Sequence, residues 1–442
     1  MTPRRRAAVR HLVLAGVAAA WLAVGVQGVT YRDALWFRYY VVNVVWLQDV
    51  VLVLGALSAV ILLAGRNRTR PPAGTWASLP AVSILIPAKD EVRVIEGAVR
   101  AACAQRYGGD LEVIVVDDRS TDGTGALLER LQAELPITVV QTRPGSFGKA
   151  EALQAGVRAS RGAVLAVLDA DARLAPDVIA TMVPLLAPPR VAAVQGRRLV
   201  YNAGRNWLTR FQDDEYRIFQ TLMQRARQAL GGFVCLAGNG LLVKREALDA
   251  VGGWNADALT EDIDLSVRLH LAGWEIRYCA EAQIWEEAVV TLRDLLRQRE
   301  RWFEGALQCL GEYLPTILRS GLSLVRKVDM LFFLSGSLVG ALAALTAYAY
   351  ALVGALLEAV VYVRLPGPLV AWTTAVLTAA TLAALTTEVG YHPLRLLGVM
   401  ARWTLFSFHV LVIVPLAVRR YVHGALTGAR DWRKTAHEGG AG

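Results

Sequence analysis

The chain has 442 residues, 55% hydrophobic and 19% charged, a balance that points to a membrane protein. Its formal net charge of +9 is carried almost wholly by arginine, which suits anionic lipid headgroups or phosphate substrates; without zinc spacing or a nucleic-acid motif, nucleic acid is excluded as the expected partner. The four dispersed cysteines, Cys103, Cys235, Cys279 and Cys309, form no CxxC pair; they exclude a disulfide framework and predict buried free thiols.

Residues 11–29, HLVLAGVAAAWLAVGVQGV, are near the length that spans a bilayer, and a second apolar stretch follows at 41–64. Residues 1–70 therefore read as two transmembrane helices, with basic flanks at 4–6 and 66–70 on the cytoplasmic side. Pro71 and Pro72 open a linker over 71–79. Residues 80–312 read as a soluble α/β domain. VSILIP (82–87), LEVIVV (111–116), AVLAVL (163–168) and VAAVQ (191–195) are predicted strands. Helical patterns separate the early ones, which predicts a parallel sheet with helices on its faces. Residues 313–327 interleave apolar side chains with Arg319, Arg326 and Lys327, as an amphipathic interface helix does. Apolar runs at 328–360, 368–389 and 394–418 predict three or four transmembrane helices within 328–420. Glu358, Glu388 and His392 fall near their ends. The basic tail, 421–442, is expected in the cytosol. Three spans would put it outside, so either the first run is a hairpin or one segment does not cross.

In an open α/β sheet, ligands bind beyond the carboxyl ends of the strands. Strand 111–116 ends in DDRSTDG (117–123) and strand 163–168 in DAD (169–171). Alternate residues of an extended chain share a face, so Asp169 and Asp171 can point the same way. Two hard carboxylates there suit Mg2+ or Mn2+ shared with a diphosphate, although DxD alone is equally a pair of solvated acids. PAKDE (87–91) follows the first strand where GxGxxG would mark a dinucleotide-binding dehydrogenase. GSFGKAEAL (145–153) places Gly148 and Lys149 at a helix start that can cradle phosphate, without the spacing of a P-loop.

LTEDIDLSVRLHLAGW (259–274) begins a helix with Thr260 as N-cap and Glu261 and Asp262 in its first turn. These acids are either ordinary capping or include a base for an acceptor hydroxyl. GNG (238–240) is a tight turn, or a place where a sugar or lipid head can approach the backbone. In RQRERWFEG (297–305), Gln298, Arg301 and Trp302 share one helical face, while Arg299 and Glu300 point elsewhere.

Taken together, DDRS, DAD, TED and QRERW, in this order, resemble the membrane-bound family 2 glycosyltransferases over about 80–310. The resemblance implies a GT-A (Rossmann-like) α/β fold, a UDP-sugar donor with UDP-glucose favoured, Mg2+ or Mn2+, and inversion to a β-linkage. It implies that Asp118 binds the donor base, that Asp169 contacts ribose and diphosphate, and that Asp171, with Asp169, holds the metal. Asp262 would be the general base. Gln298, Arg301 and Lys149 would serve the donor, and Trp302, Gly238, Asn239 and Glu261 the acceptor. The sequence departs from the family at Lys89 and Asp90, where many members carry an Asn before the Glu, and at Gln154, where Asn is common; these departures concern the donor sugar.

Two subfamilies fit. One, similar to the cyanobacterial β-monoglucosyldiacylglycerol synthases, glucosylates a lipid once. The other extends and exports a polymer, as cellulose, hyaluronan and poly-N-acetylglucosamine synthases do. ALDAVGGWN (247–255), DLSVRLHLAGW (264–274) and EEAVVTLRDLLRQRERWFEGALQ (286–308) look closer to the first. The expected site is the inner (plasma) membrane of a bacterial-type cell, with the catalytic domain cytoplasmic. A dead scaffold would have eroded the acids, and a transporter would carry charge in mid-span; neither matches the sequence.

Overall fold

In the computed structural model, the described residues are 63–66, 72–145, 148–335, 385–388, 392–407 and 409–427. The expected N-terminal spans, most of the C-terminal ones and the tail beyond 427 lie outside them.

Eight strands form one sheet: β1 (Val82–Ala88), β2 (Leu111–Asp117), β3 (Ile137–Gln141), β4 (Val164–Val167), β5 (Arg173–Leu174), β6 (Val191–Val200), β7 (Leu241–Lys244) and β8 (Glu275–Glu286). Their order is β3-β2-β1-β4-β7-β6-β8-β5. The four predicted strands are present. They are continuously apolar because both faces of the sheet are covered. Ile84 and Ile86 of β1 and Val113 and Val115 of β2 enter one core, with helices α1 (Ile95–Cys103), α2 (Thr124–Glu134) and α4 (Val178–Leu186). Leu85, Ile114 and Val116 enter the other, with α3 (Lys149–Ala159), α7 (Arg245–Ala250) and α8 (Glu261–Leu271). All four cysteines are free.

The sheet is mixed rather than parallel throughout. β1 runs parallel to β2 and β4, but β7 runs antiparallel to both β4 and β6. The reason lies in the connection. After β6 the chain stays at the carboxyl edge through α5 (Trp207–Glu215), a π-helical stretch (Tyr216–Met223) and α6 (Gln224–Leu230). It then enters β7 from that same edge, which brings the GNG turn beside the DAD turn: Gly240 N–H donates to the Val167 carbonyl at 2.9 Å.

The expected helix over 313–327 is divided. Helix α9 runs from Leu292 to Arg319, Ser320 is extended, and a new helical segment begins at 324. The apolar run 394–418 is likewise two helices, α10 (Pro393–Ser407) and α11 (Val410–Thr427). Among the described residues, no helix is long and apolar enough to cross a membrane. These C-terminal pieces dock on the α/β domain through ion pairs: Arg402 with Asp214 at 2.6 Å, and Arg420 with Glu304 at 3.1 Å. Glu388, expected near the end of a span, is buried against the domain and takes Arg197 at 2.6 Å and also Arg225.

Candidate active site

The carboxyl ends of β2, β4, β6 and β8 meet the entry to β7 along one edge. On the β2 side, Asp118 is buried, and its Oδ1 accepts from the Thr142 hydroxyl at 2.7 Å. Lys89, one of the departures from the family pattern, donates to the carbonyls of Asp118 and Arg119 at 2.8 and 2.7 Å. Asp90 accepts from Thr121 N–H at 2.6 Å. Asp90 and Arg119 both hold positive φ, 52° and 56°, in the left-handed region that non-glycine residues rarely visit and that recurs at functional sites. The loops 88–91 and 118–124 are thereby laced together. Gln154, the other departure, donates to the Trp254 carbonyl at 3.0 Å.

Lys149 is the node of the site. Its Nζ lies 2.5 Å from Asp169 Oδ1 and 3.3 Å from Glu261 Oε1, and donates to the Gly238 carbonyl at 2.9 Å. Burial would lower its pKa, but the charges of Asp169 and Glu261 outweigh burial and hold it above the ordinary value. The ammonium therefore faces carboxylates rather than standing free at a phosphate cradle, as the sequence had led us to expect. Glu261, expected at the acceptor, is buried and turned to Lys149.

Asp262 sits at the start of α8, where its Oδ1 accepts from Ile263 N–H at 2.8 Å. Burial and the neighbouring Glu261 push its pKa up to about 6, against the pull of Lys149. A carboxylate near this value is available as a base around neutral pH. Gly238 has φ +70°, and a Cβ there would lie 3.1 Å from Asp262 Oδ2 and 3.2 Å from Lys149 Nζ. The GNG turn thus closes directly over the base. Thr260 occupies the N-cap position without capping: its Oγ1 is buried without a hydrogen-bond partner among the described residues, and Gly305 of α9 packs where a Cβ would lie 2.3 Å from it.

Asn239, expected at the acceptor, is turned into the domain. It is wholly buried; its Oδ1 accepts from Asp169 N–H at 3.1 Å and its Nδ2 donates to Glu286 Oε2 at 2.9 Å. Glu286 in turn accepts from Arg198 Nε and Nη2 at 2.7 and 2.5 Å and from the Tyr216 hydroxyl at 2.6 Å. The next residue, Glu287, donates its N–H to Asp171 Oδ2 at 2.7 Å. These partners escaped the sequence reading. The available signal was a pair of acids at the end of an apolar strand, the same position that drew attention to DAD.

On α9, Gln298 buries an amide oxygen that has no hydrogen-bond partner among the described residues. Arg301 is half-buried and, among the described residues, pairs with no carboxylate. Arg299, expected to point elsewhere, is buried; it pairs with Glu215 at 2.5 Å and lies over Trp302, 4.1 Å from the ring centroid. One face of Trp302 is therefore covered by Arg299. Glu300 lies 3.5 Å from Arg420.

Asp169 and Asp171 fit a hard divalent ion that takes one or two carboxylates and completes its shell with phosphate oxygens and water. Asp169 is partly open, whereas Asp171 is held by the Glu287 amide.

A mixed α/β sheet whose edge gathers an acidic pair, a glycine turn and a buried carboxylate has the architecture of a GT-A-type glycosyltransferase. The chain belongs to the family described as glycosyltransferase like family 2, whose model matches residues 80–305. It is similar to the beta-monoglucosyldiacylglycerol synthase of Trichormus variabilis, with 36% identity over 375 residues, covering 82% of this chain and 77% of the relative. It is also similar to the enzyme of that name from a Nostoc species, with 40% identity over 260 residues, covering 58% of this chain and 55% of the relative. The chain thus spans between about half and three quarters of these relatives' length. A solved mannosyltransferase from Pyrobaculum calidifontis, in complex with GDP-Man and Mn2+, matches at a TM-score of 0.55 and 25% identity, over 77% of this chain and 99% of that one.

Proposed function

We propose that this enzyme is an inverting β-glucosyltransferase that moves glucose from UDP-glucose to diacylglycerol at the cytoplasmic face of a membrane. The observation that carries the reading is the placement of Asp262, with its pKa near 6, beside the Lys149–Asp169 pair under Gly238. In that arrangement Asp262 removes the proton of the acceptor hydroxyl as its oxygen attacks the anomeric carbon. The bond from that carbon to the diphosphate breaks, and UDP leaves with the electron pair. Attack opposite the leaving group turns an α-linked donor into a β-linked product.

Bound at Asp169 and Asp171, Mg2+ or Mn2+ would neutralise charge on the diphosphate. Arg301, which pairs with no carboxylate among the described residues and can form two parallel N–H bonds, serves the same leaving group, and Gln298 lies one turn away from it. Asp118 is assigned to the donor base. The face of Trp302 away from Arg299 and the backbone at Gly238 receive the acceptor.

The names of the relatives support a lipid acceptor. Exposed Leu318, Leu324, Leu394 and Leu405, with Arg319, Arg326 and Lys327 nearby, support a membrane-facing side below which diacylglycerol can enter. The apolar segments 1–70 and 328–420 would anchor it there. The test is a donor panel of UDP-glucose, UDP-N-acetylglucosamine and UDP-glucuronate with Mg2+ or Mn2+, with and without diacylglycerol. A glucosyl lipid formed only when diacylglycerol is present supports the reading. Long polymer made without added lipid would replace it with a processive synthase.

A further inference from the structure

We propose that Glu286, at the end of β8, is the positioning residue that sets both aspartates of the DAD turn for metal and diphosphate. This rests on the glycosyltransferase reading of the site. Nothing in the sequence motifs assigns Glu286 a role; its carboxylate is taken up by Arg198, Tyr216 and Asn239.

The argument begins with the hydrogen-bonding capacity of a carboxylate. Burial would raise the pKa of Glu286, but Arg198 and the donors around it hold it below the ordinary value, so it stays ionised and can only accept. Arg198 and Tyr216 supply three of its hydrogen bonds and lock its orientation. The remaining partner is Asn239. Since an ionised carboxylate cannot donate, Asn239 must present its NH2 group to Glu286. Its carbonyl oxygen is then the atom left for the Asp169 N–H. Glu286 thus selects the rotamer of a buried amide, and that amide fixes the backbone at Asp169. The backbone of Asn239 is itself held, since its carbonyl accepts from Gln195 Nε2 at 2.9 Å.

The second connection runs through the chain. Anchoring Glu286 fixes the peptide that follows, and the N–H of Glu287 donates to Asp171 Oδ2. One strand end therefore holds Asp169 through Asn239 and Asp171 directly. Arg198, Asn239, Tyr216 and Glu286 are all buried, so water does not substitute readily for a lost partner. Groups that orient metal-binding carboxylates in this way commonly change metal affinity when replaced, although they contact no metal.

The experiment uses the full chain in detergent. Binding of Mn2+ with UDP is measured by calorimetry, beside steady-state kinetics with UDP-glucose and dioleoylglycerol. Glu286→Gln is expected to weaken Mn2+·UDP binding and raise the Mn2+ concentration for half-activation by about 10–100-fold, with the KM for dioleoylglycerol within about twofold of wild type. Glu286→Asp, which keeps the charge, should recover part of the loss. Tyr216→Phe keeps the volume, removes one donor, and should give a smaller change of the same kind; it decides the matter if Glu286→Gln does not fold. Folded variants that bind Mn2+·UDP like wild type, or that weaken donor and lipid alike, would overturn the proposal. A wild type that binds Mn2+·UDP but forms no glucosyl lipid would instead remove the proposed function, while the binding comparison still judges Glu286.

Discussion

Arg299 lies over Trp302, its guanidinium carbon 4.1 Å from the ring centroid, while the same guanidinium pairs with the half-buried Glu215. Two arginines two positions apart on α9 thus have different work. Arg299 braces the helix, whereas Arg301, which pairs with no carboxylate among the described residues, is proposed to meet the diphosphate. Replacing Arg299 with Met removes the ion pair of the half-buried Glu215 and should cost about 1–3 kcal/mol of stability. Arg301→Ala should change stability by about 0.5 kcal/mol or less, but should slow transfer by on the order of 10²–10³ through loss of leaving-group stabilisation. Thermal unfolding and the transfer assay, run on both variants, separate the two roles.

Asp262 predicts a pH dependence. Its base form predominates above about 6, so kcat/KM should rise through that pH and fall away below it. The stability consequence has the opposite sign. Because the folded pKa exceeds the unfolded value near 4, ionisation of Asp262 costs stability above about 6 and costs nothing below about 4. Asp262→Asn should therefore be inactive yet unfold at a higher temperature than wild type at pH 8, by on the order of 2 kcal/mol, with the difference vanishing near pH 4. Calorimetric melts at the two pH values check the sign.

Lys149 holds the base down. Its positive charge lowers the pKa of Asp262, and without it Asp169, Glu261 and Asp262 would face one another unscreened. Lys149→Gln should move the acid limb of the pH–rate profile upward by roughly one unit or more. A profile that stays in place would show that Lys149 does not act on Asp262.

Gly238 is needed for its backbone and for its bareness. Alanine there would pay about 1–2 kcal/mol for the left-handed conformation and would place a methyl group 3.1 Å from the Asp262 carboxylate. Gly238→Ala should lose most transfer activity while still binding UDP, which a UDP titration beside the product assay can verify.

Much of this arrangement was legible in the sequence. The apolar strands, the acids after β2 and β4, and the helix start at Thr260 each follow from local rules: burial on both sheet faces, ligands at strand ends, acids in a first helical turn. What was not legible depends on contacts between distant segments. The reversal of β7 came from a connection that never leaves the carboxyl edge, and no local pattern encodes that. Asn239 read as an acceptor contact because its neighbour Gly238 lines the site; only the fold turns its amide inward, between Asp169 and Glu286. Arg299 read as surface because a helical wheel places it off the Gln298–Arg301–Trp302 face, yet Glu215 on α5 reaches it from another element. Glu388 read as the edge of a span, and two arginines of the α/β domain bury it.

The most direct test of the central claim is the anomeric configuration and acceptor of the product. The full chain, incubated with UDP-glucose, Mn2+ and diacylglycerol, should yield a single β-linked glucosyl diacylglycerol by mass spectrometry and proton NMR, and Asp262→Asn should yield none. An α-linked product, a polymer made without lipid, or undiminished transfer by Asp262→Asn would contradict the account.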